Sequence, residues 1–257
     1  MSSEIIAAKM ENIKTIFQSA QDNATKQNDI GELIKQLETI DSEFLSVGYE
    51  ATSMELALKD FQSDESMKSW NTFVTLSKNH APQVYVGLGW AIAKEKHVDK
   101  LFLDALNPEM RFRVWDGCGY FDGIFRQRQV IKNQSRLEYI LENDFHSYDQ
   151  GLGRSLWYIC KGDENKIQEM VEAFATERHA DLWRGIGIAC SYVGGCEESA
   201  LKKLIVSAKE HSAQLGIGAT LVAKSRILSN CLTKDIELNC KIFRNMSAKE
   251  AMESVGN

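Results

Sequence analysis

At 257 residues and a net charge of −6, the chain is long enough for one large domain or two small ones. It lacks the basic surplus by which a nucleic-acid-binding protein is recognised. Hydrophobic residues make up 44% of it, enough for a substantial core, yet there is no run of about 18 apolar residues to cross a membrane. The N-terminus "MSSEIIAAKMENIKTIF" carries early acids and no apolar signal region, so the expected location is the cytoplasm.

In chain order, residues 1–45 read as a polar, helical extension with a loop at "DNATKQND". A helix through "YEATSMELAL" follows, then a polar connection at "DFQSDESMKS". The next helix, "QVYVGLGWAIAK", has Pro82 in its first turn, where the missing N–H is not needed. "RFRVW", Arg111 to Trp115, alternates polar and apolar and fits either a short strand or the start of a helix carrying "WDGCGYFDGIF". "SYDQGLGRSLWYIC" ends at Lys161-Gly162, with Gly162 in the C′ position and Asp163 as N-cap of "DENKIQEMVEAFATE". In that last segment Ile167, Met170, Val171 and Phe174 mark one amphipathic face. Asp181 is expected to cap the following helix, which ends at Gly194-Gly195 before "EESALKKLIVSAKEH".

A Gly-x-Gly pair recurs through these helices: Gly87/Gly89, Gly117/Gly119, Gly151/Gly153, Gly185/Gly187 and Gly216/Gly218, with small residues Ala51 and Ser53 in an upstream copy. The period in the low thirties is that of helical repeat proteins. The expected fold is therefore all-α: a single domain over 1–257 with six two-helix repeats of about 30–36 residues over about 46–246. The repeats would be stacked as a solenoid or closed on themselves.

Glycine costs a helix interior about 1 kcal/mol relative to alanine, so paired glycines need a reason. A dinucleotide loop needs GxGxxG after a strand; Gly117, Gly119 and Gly123 come nearest, but the same pair recurs four more times with no strand before it. Close approach of neighbouring helices explains all copies, since no Cβ stands between the backbones. The candidate chemistry then lies beside the glycines. Two residues before the first small residue stand Tyr49, Tyr85, Trp115, Asp149, Trp183 and Gln214. One residue before stand Glu50, Val86, Asp116, Gln150, Arg184 and Leu215.

Aromatic rings with carboxylates and arginines on one wall would make an apolar ligand groove with an acidic edge. Asp116 or Asp149 is the expected general acid. Glu50, Tyr85, Trp115, Asp122, Gln150, Arg154, Trp183 and Arg184 are the expected binding residues, with Arg154 and Arg184 on an anionic head group. The six cysteines form no CxxC pair and the five histidines show no HxxxH or HExxH spacing. The cysteines read as reduced core residues, and neither a metal nor another cofactor is expected.

"DQGLGRSLWYI", "DLWRGIGIACSYVGG" and "LGIGATLVAKSR" together resemble a bacterial domain-of-unknown-function family known as enediyne biosynthesis proteins. Upstream, "VYVGLGWAIAK" is similar to that family's VGxGWAxAR segment, "WDGCGYFDGIFR" to DGYGFHxGYF and "VGYEATSMELAL" to YEGAxMxxAL, so the resemblance covers about Phe17 to Met246. The chain departs from the pattern: Tyr120-Phe121-Asp122 replaces a Phe-His pair, Lys234-Asp235 stands where a His-Thr is common, Ala51 and Ser53 hold the glycine positions of the first repeat, and the chain is shorter than typical members. The resemblance implies work in natural-product biosynthesis, beside polyketide synthases. Two functions follow as expectations. One is a protein holding an apolar polyketide, polyene or isoprenoid-like intermediate, as a cyclase or isomerase. The other is a non-enzymatic helical scaffold for a partner enzyme of the pathway.

Overall fold

The computed structural model describes residues 2–63, 66–96, 98–135, 137–140 and 142–254. It is all-α, and among the described residues there is no strand: "RFRVW" lies inside a helix. The six helices that carry the small-residue pairs are α3 (Leu45–Phe61), α5 (Ala81–Glu95), α7 (Pro108–Phe125), α8 (Phe145–Ile159), α10 (Thr176–Val193) and α12 (Ser212–Leu228). They are named with the rest in chain order: α1 (Ser2–Lys26), α2 (Ile30–Leu37), α4 (Lys68–Leu76), α6 (Lys100–Ala105), α9 (Glu164–Glu172), α11 (Glu198–Ala208), α13 (Lys234–Arg244) and α14 (Ala248–Glu253).

The paired helices pack in chain order, α3 on α5, α5 on α7, α7 on α8, α8 on α10 and α10 on α12. A Cβ on Gly87, Gly117, Gly151 or Gly185 would overlap the carbonyl oxygen of Glu50, Val86, Asp116 or Gln150, each the residue just before the preceding helix's first small residue. The second glycine looks the other way: a Cβ on Gly89, Gly119 or Gly153 would overlap the carbonyl three residues before the next pair, at Val114, Tyr148 or Leu182. Ser53 keeps this rule with a hydroxyl that donates to the Val84 carbonyl at 2.5 Å.

The same contacts correct the register of the last copy. It is Gly218, not Gly216, that faces the Arg184 carbonyl, and Gly187 faces the Leu215 carbonyl, three residues before Gly218. Gly216 faces the Arg244 side chain, with the Phe243 carbonyl oxygen 3.1 Å from where its Cβ would stand. The equivalent pair is therefore Gly218 and Thr220.

Outer helices α4, α6, α9, α11 and α13 follow five of the paired helices, as expected of two-helix units. After α7 there is instead a π-helical turn, Arg128–Lys132, because "RQRQVIKNQ" offers few apolar residues beyond Val130 and Ile131 for a helix to bury. Pro82 sits in the first turn of α5 and Asp163 caps α9, accepting from the amides of Asn165 and Lys166. Gly162 follows α8 one place later than C′: Lys161 takes C′ and the Gly162 N–H returns to the Trp157 carbonyl in a Schellman pattern. Asp181 is not a cap; α10 begins at Thr176, and Asp181 lies within it. The loop at "DNATKQND" shrinks to Gln27–Asp29, since α1 runs on to Lys26. In the "DFQSDESMKS" connection, Asp64 and Glu65 lie outside the described residues.

α1 has a single apolar stripe, Ile6, Met10, Ile13, Phe17, Ala20 and Ala24, at helical spacing. Along about 37 Å, at 1.5 Å per residue, it crosses the C-terminal ends of several paired helices. A Cβ on Gly162 after α8 would meet Ile6 and one on Gly195 after α10 would meet Ile5, Gln21 bonds Glu55 of α3 at 3.1 Å, and Lys9 pairs with Glu43 and with Asp235. No helix among the described residues is long and apolar enough to cross a membrane.

Candidate functional site

On a helix, residues four apart share a face. Starting from the position before each first small residue, that face carries Glu50 and Met54 on α3, Val86, Trp90 and Lys94 on α5, and Asp116, Tyr120 and Ile124 on α7. It carries Gln150, Arg154 and Tyr158 on α8, Ile188 and Tyr192 on α10, and Leu221 and Ser225 on α12. This is the inner face. A void of about 30 Å³ on it is bordered by residues of all six helices, among them Glu50, Gln83, Asp116, Arg154, Tyr192 and Ser225. α12 is tied back across it, with Gln83 Nε2 donating to Ser225 Oγ at 2.6 Å.

Beside the void lies a cavity of about 1030 Å³, the size of a ligand site for a large small molecule. Its walls are Met54, Trp90, Tyr120, Phe121, Ile124, Tyr158 and Tyr192, and α1 covers it with Met10, Ile13 and Phe17. The Phe17 and Trp90 rings stand 4.9 Å apart, and Trp90 meets Tyr120 edge-on at 4.9 Å. Glu50, Arg154 and Tyr192 border both cavity and void, so they form the partition at the inner end. The exposed side chains of Lys14, Lys94, Lys161 and Phe125 mark the solvent end.

The partition is a buried charge cluster. Arg154 donates to Asp116, and its other terminal nitrogen lies 3.8 Å from a Glu50 oxygen. Gln150 Nε2 donates to the second Asp116 oxygen at 2.5 Å, and the Arg154 guanidinium stands 4.4 Å over the Tyr120 ring. Asp116 thus has two dedicated donors, whereas Glu50 has only the more distant arginine. Burial pushes the Glu50 carboxyl up to about 7; Arg154 opposes this, Asp116 adds to it, and the Trp90 indole N–H, which approaches Glu50 without hydrogen-bond geometry, pulls slightly down. Burial disfavours the Arg154 charge, but Asp116 and Glu50 outweigh it and hold that pKa above the ordinary value. Tyr158, also by burial, is pushed up to about 12.

The expected site residues divide. Glu50, Asp116, Gln150 and Arg154 come together at the partition. Asp149 does not: both of its oxygens are taken by Arg178, through Nε at 2.8 Å and Nη2 at 2.5 Å, on the outer side of α8. Asp122 is buried near the C-terminal end of α7, accepting from Tyr139, from Tyr148 at 2.9 Å and from Arg126. Arg184 pairs with Asp181 at 2.6 Å and donates to Gln214 at 3.1 Å.

Tyr85, Trp115 and Trp183 are buried, yet none lines the cavity. One residue of offset is 100° of helix rotation, which turns these rings to the outer layer, as where Tyr85 meets Trp70 edge-on at 5.3 Å. The aromatic wall is instead Trp90, Tyr120, Tyr158 and Tyr192, four and eight residues beyond the inner position, with Met10, Ile13 and Phe17 from α1. Spacing by four from Glu50 is the signal that finds the first set; the α1 stripe is the signal for the second. Among the described residues no group of three histidine, cysteine or acidic side chains could hold a metal ion.

The family model that matches this chain, DUF1702, is described as a protein of unknown function and spans residues 1–257. No curated protein matches the chain, and no solved structure does.

Proposed function

The chain belongs to the DUF1702 family, and we propose that this member binds an apolar chain molecule in the covered cavity and acts on it by proton transfer from Glu50. The observation that carries this is the position of Glu50: a carboxyl raised to about 7 at the inner end of an aromatic-walled cavity of about 1030 Å³. Near neutral pH such a group is present in both protonation states, as a general acid and base needs. Its proton adds to a double bond of the occupant, and the π pair becomes the new C–H bond. The cation left on the neighbouring carbon faces the rings of Trp90, Tyr120 and Phe121, whose π faces stabilise positive charge. The Glu50 carboxylate, stabilised by Arg154, then takes a proton from an adjacent carbon. The net result is a double-bond isomer and a restored acid. Where a second double bond of the occupant first attacks the cation, its π pair forms the C–C bond of a ring, the charge moves to that bond's far carbon, and loss of a proton beside it gives a cyclised product.

The occupant is a polyketide, polyene or isoprenoid-like intermediate of natural-product biosynthesis, in keeping with the resemblance described above, and the place of work is the cytoplasm. Six free cysteines, with the Cys190 and Cys196 sulfurs in a thiol hydrogen bond at 3.9 Å and not in a disulfide, agree with a reducing compartment. A deep, half-open cavity with apolar walls and a carboxyl at its inner end favours a small-molecule role over a scaffold.

Parinaric acid, retinol and farnesol serve as probes. Binding is expected to give energy transfer from Trp90 to parinaric acid, lost when Met54→Trp fills the cavity. Glu50→Gln is expected to bind the probes and to leave unconverted a polyene that the wild type isomerises. Absence of binding by all three probes rules out the cavity reading; full conversion by Glu50→Gln rules out the acid.

A further inference from the structure

The void of about 30 Å³ on the far side of Glu50 is separate from the ligand cavity and has a polar border with unmet bonds. Gln83 Oε1, Arg113 Nε and Arg154 Nε are buried and have no hydrogen-bond partner. Each belongs to a residue that borders the void. Gln83 and Arg154 are more than nine-tenths buried. Ser225 holds the Gln83 amide by its nitrogen, which leaves the oxygen without a partner. An unsatisfied buried polar atom costs about 1–3 kcal/mol, and here three of them share one small space.

We infer that this void is a built water site, holding one or two ordered waters that accept from Arg113 and Arg154, donate to Gln83 Oε1 and solvate the inner side of Glu50. A buried water needs about 10–15 Å³ and two to four polar partners, and both conditions are met. One acceptor oxygen and two donor nitrogens also match the bonding of water better than that of an anion, which would face the Gln83 oxygen unfavourably. Glu50 thereby has two sides, an apolar one on the ligand cavity and a hydrated one on the void.

The groups facing Glu50 are Asp116, Arg113 and Tyr120 from α7, Arg154 and Tyr158 from α8, and Tyr192 from α10. Lys94 of α5, with Glu11 and Lys14 of α1, lies toward the cavity's outer end, and α12 brings no titratable side chain to the void. With that set fixed, the water is the adjustable part of the Glu50 environment. The water site stands whether or not Glu50 transfers protons to a ligand; only its link to catalysis rests on the function proposed above.

A crystal structure of the full chain at about 1.8 Å or better is expected to show one or two waters within about 2.7–3.2 Å of Gln83 Oε1 and Arg113 Nε. Gln83→Met, close in volume but without the acceptor, is expected to lose the water. It should also move the Glu50 protonation midpoint upward, read from the infrared carboxyl band with Glu50→Gln as blank, because a less hydrated carboxylate is harder to form. Val222→Leu, which fills the void from its apolar side, is the second variant and should give the same shift if Gln83→Met does not fold. An empty void, a chloride in it detected by bromide exchange, or a midpoint that does not move overturns the inference. None of these outcomes depends on probe binding in the large cavity.

Discussion

The backbone carbonyl oxygen of Asp116 occupies the space that a methyl group on Gly151 would need. Backbone cannot step aside as a side chain can, so Gly151→Ala is expected to unfold the chain or to cost more than about 4 kcal/mol, beyond ordinary overpacking. Gly218→Ala, against the Arg184 carbonyl, should behave likewise. Gly216→Ala meets the flexible Arg244 side chain, at 2.5 Å from its Cδ, and comes no nearer than 3.1 Å to the Phe243 carbonyl oxygen, so it should fold. Urea denaturation of the three variants reads the register directly: if Gly216→Ala is the worse of the last two, the pairing by Gly218 is wrong.

That register shows what the sequence carried and what it did not. The small-residue pairs, their spacing and the all-α class were visible because backbone approach keeps glycine at both positions in four of the six copies and a small residue in the others. In the last copy Gly216 and Gly218 both fit the pattern, and only packing against Arg184 chooses between them. The inner partition was visible in Glu50, Asp116, Gln150 and Arg154, which share one repeat position or lie four residues beyond it. The rings at the neighbouring position pointed outward because a single step turns a helix by 100°. Asp149 looked equivalent to Asp116 by proximity to the glycines, but its partner, Arg178, comes from another helix and has no local signal. Nor did the N-terminal helix announce itself as a cover, since its stripe fits any buried surface.

Glu50 gives the chain a pH signature. Its carboxyl is raised from 4.5 to about 7 by burial. The neutral form is thus the one the fold prefers, and its contribution to stability is complete below pH 4.5 and lost as pH rises from there through 7. At 1.36 kcal/mol per unit the loss is about 3 kcal/mol. Glu50→Gln mimics the protonated form. It is expected to match the wild type at pH 4.5 and to exceed it by up to about 3 kcal/mol at pH 8, measured by urea denaturation. Equal stability of the two proteins at pH 8 would mean that Arg154 fully compensates the ionised carboxylate.

Asp149 and Arg178 form a two-pronged buried pair away from the cavity. Removing one partner leaves the other charge buried and alone, which costs about 3–5 kcal/mol. Asp149→Asn is therefore expected to lower stability by that order while leaving probe affinity of the folded fraction unchanged. A variant of normal stability with weakened probe binding would return Asp149 to the site.

The cover makes the last distinction. Phe17 is half-buried, and its ring lies against Trp90 at 4.9 Å over the cavity. α1 is held elsewhere as well: Lys9 is bonded toward one end, Gln21 to Glu55 toward the other, and Ile6 and Ala20 are buried. Phe17→Ala should leave the helix docked, because those anchors remain. The expected loss of stability is modest, about 1–3 kcal/mol, smaller than for a fully buried aromatic. What should change is access. With the ring gone, the cavity opens beside Trp90, and stopped-flow measurement with parinaric acid is expected to show both association and release quickened by a similar factor, with little change in affinity. Release quickened alone would make Phe17 a wall that grips the occupant. Rates unchanged in both directions would place the entry path away from α1, through the end marked by Lys94 and Lys161.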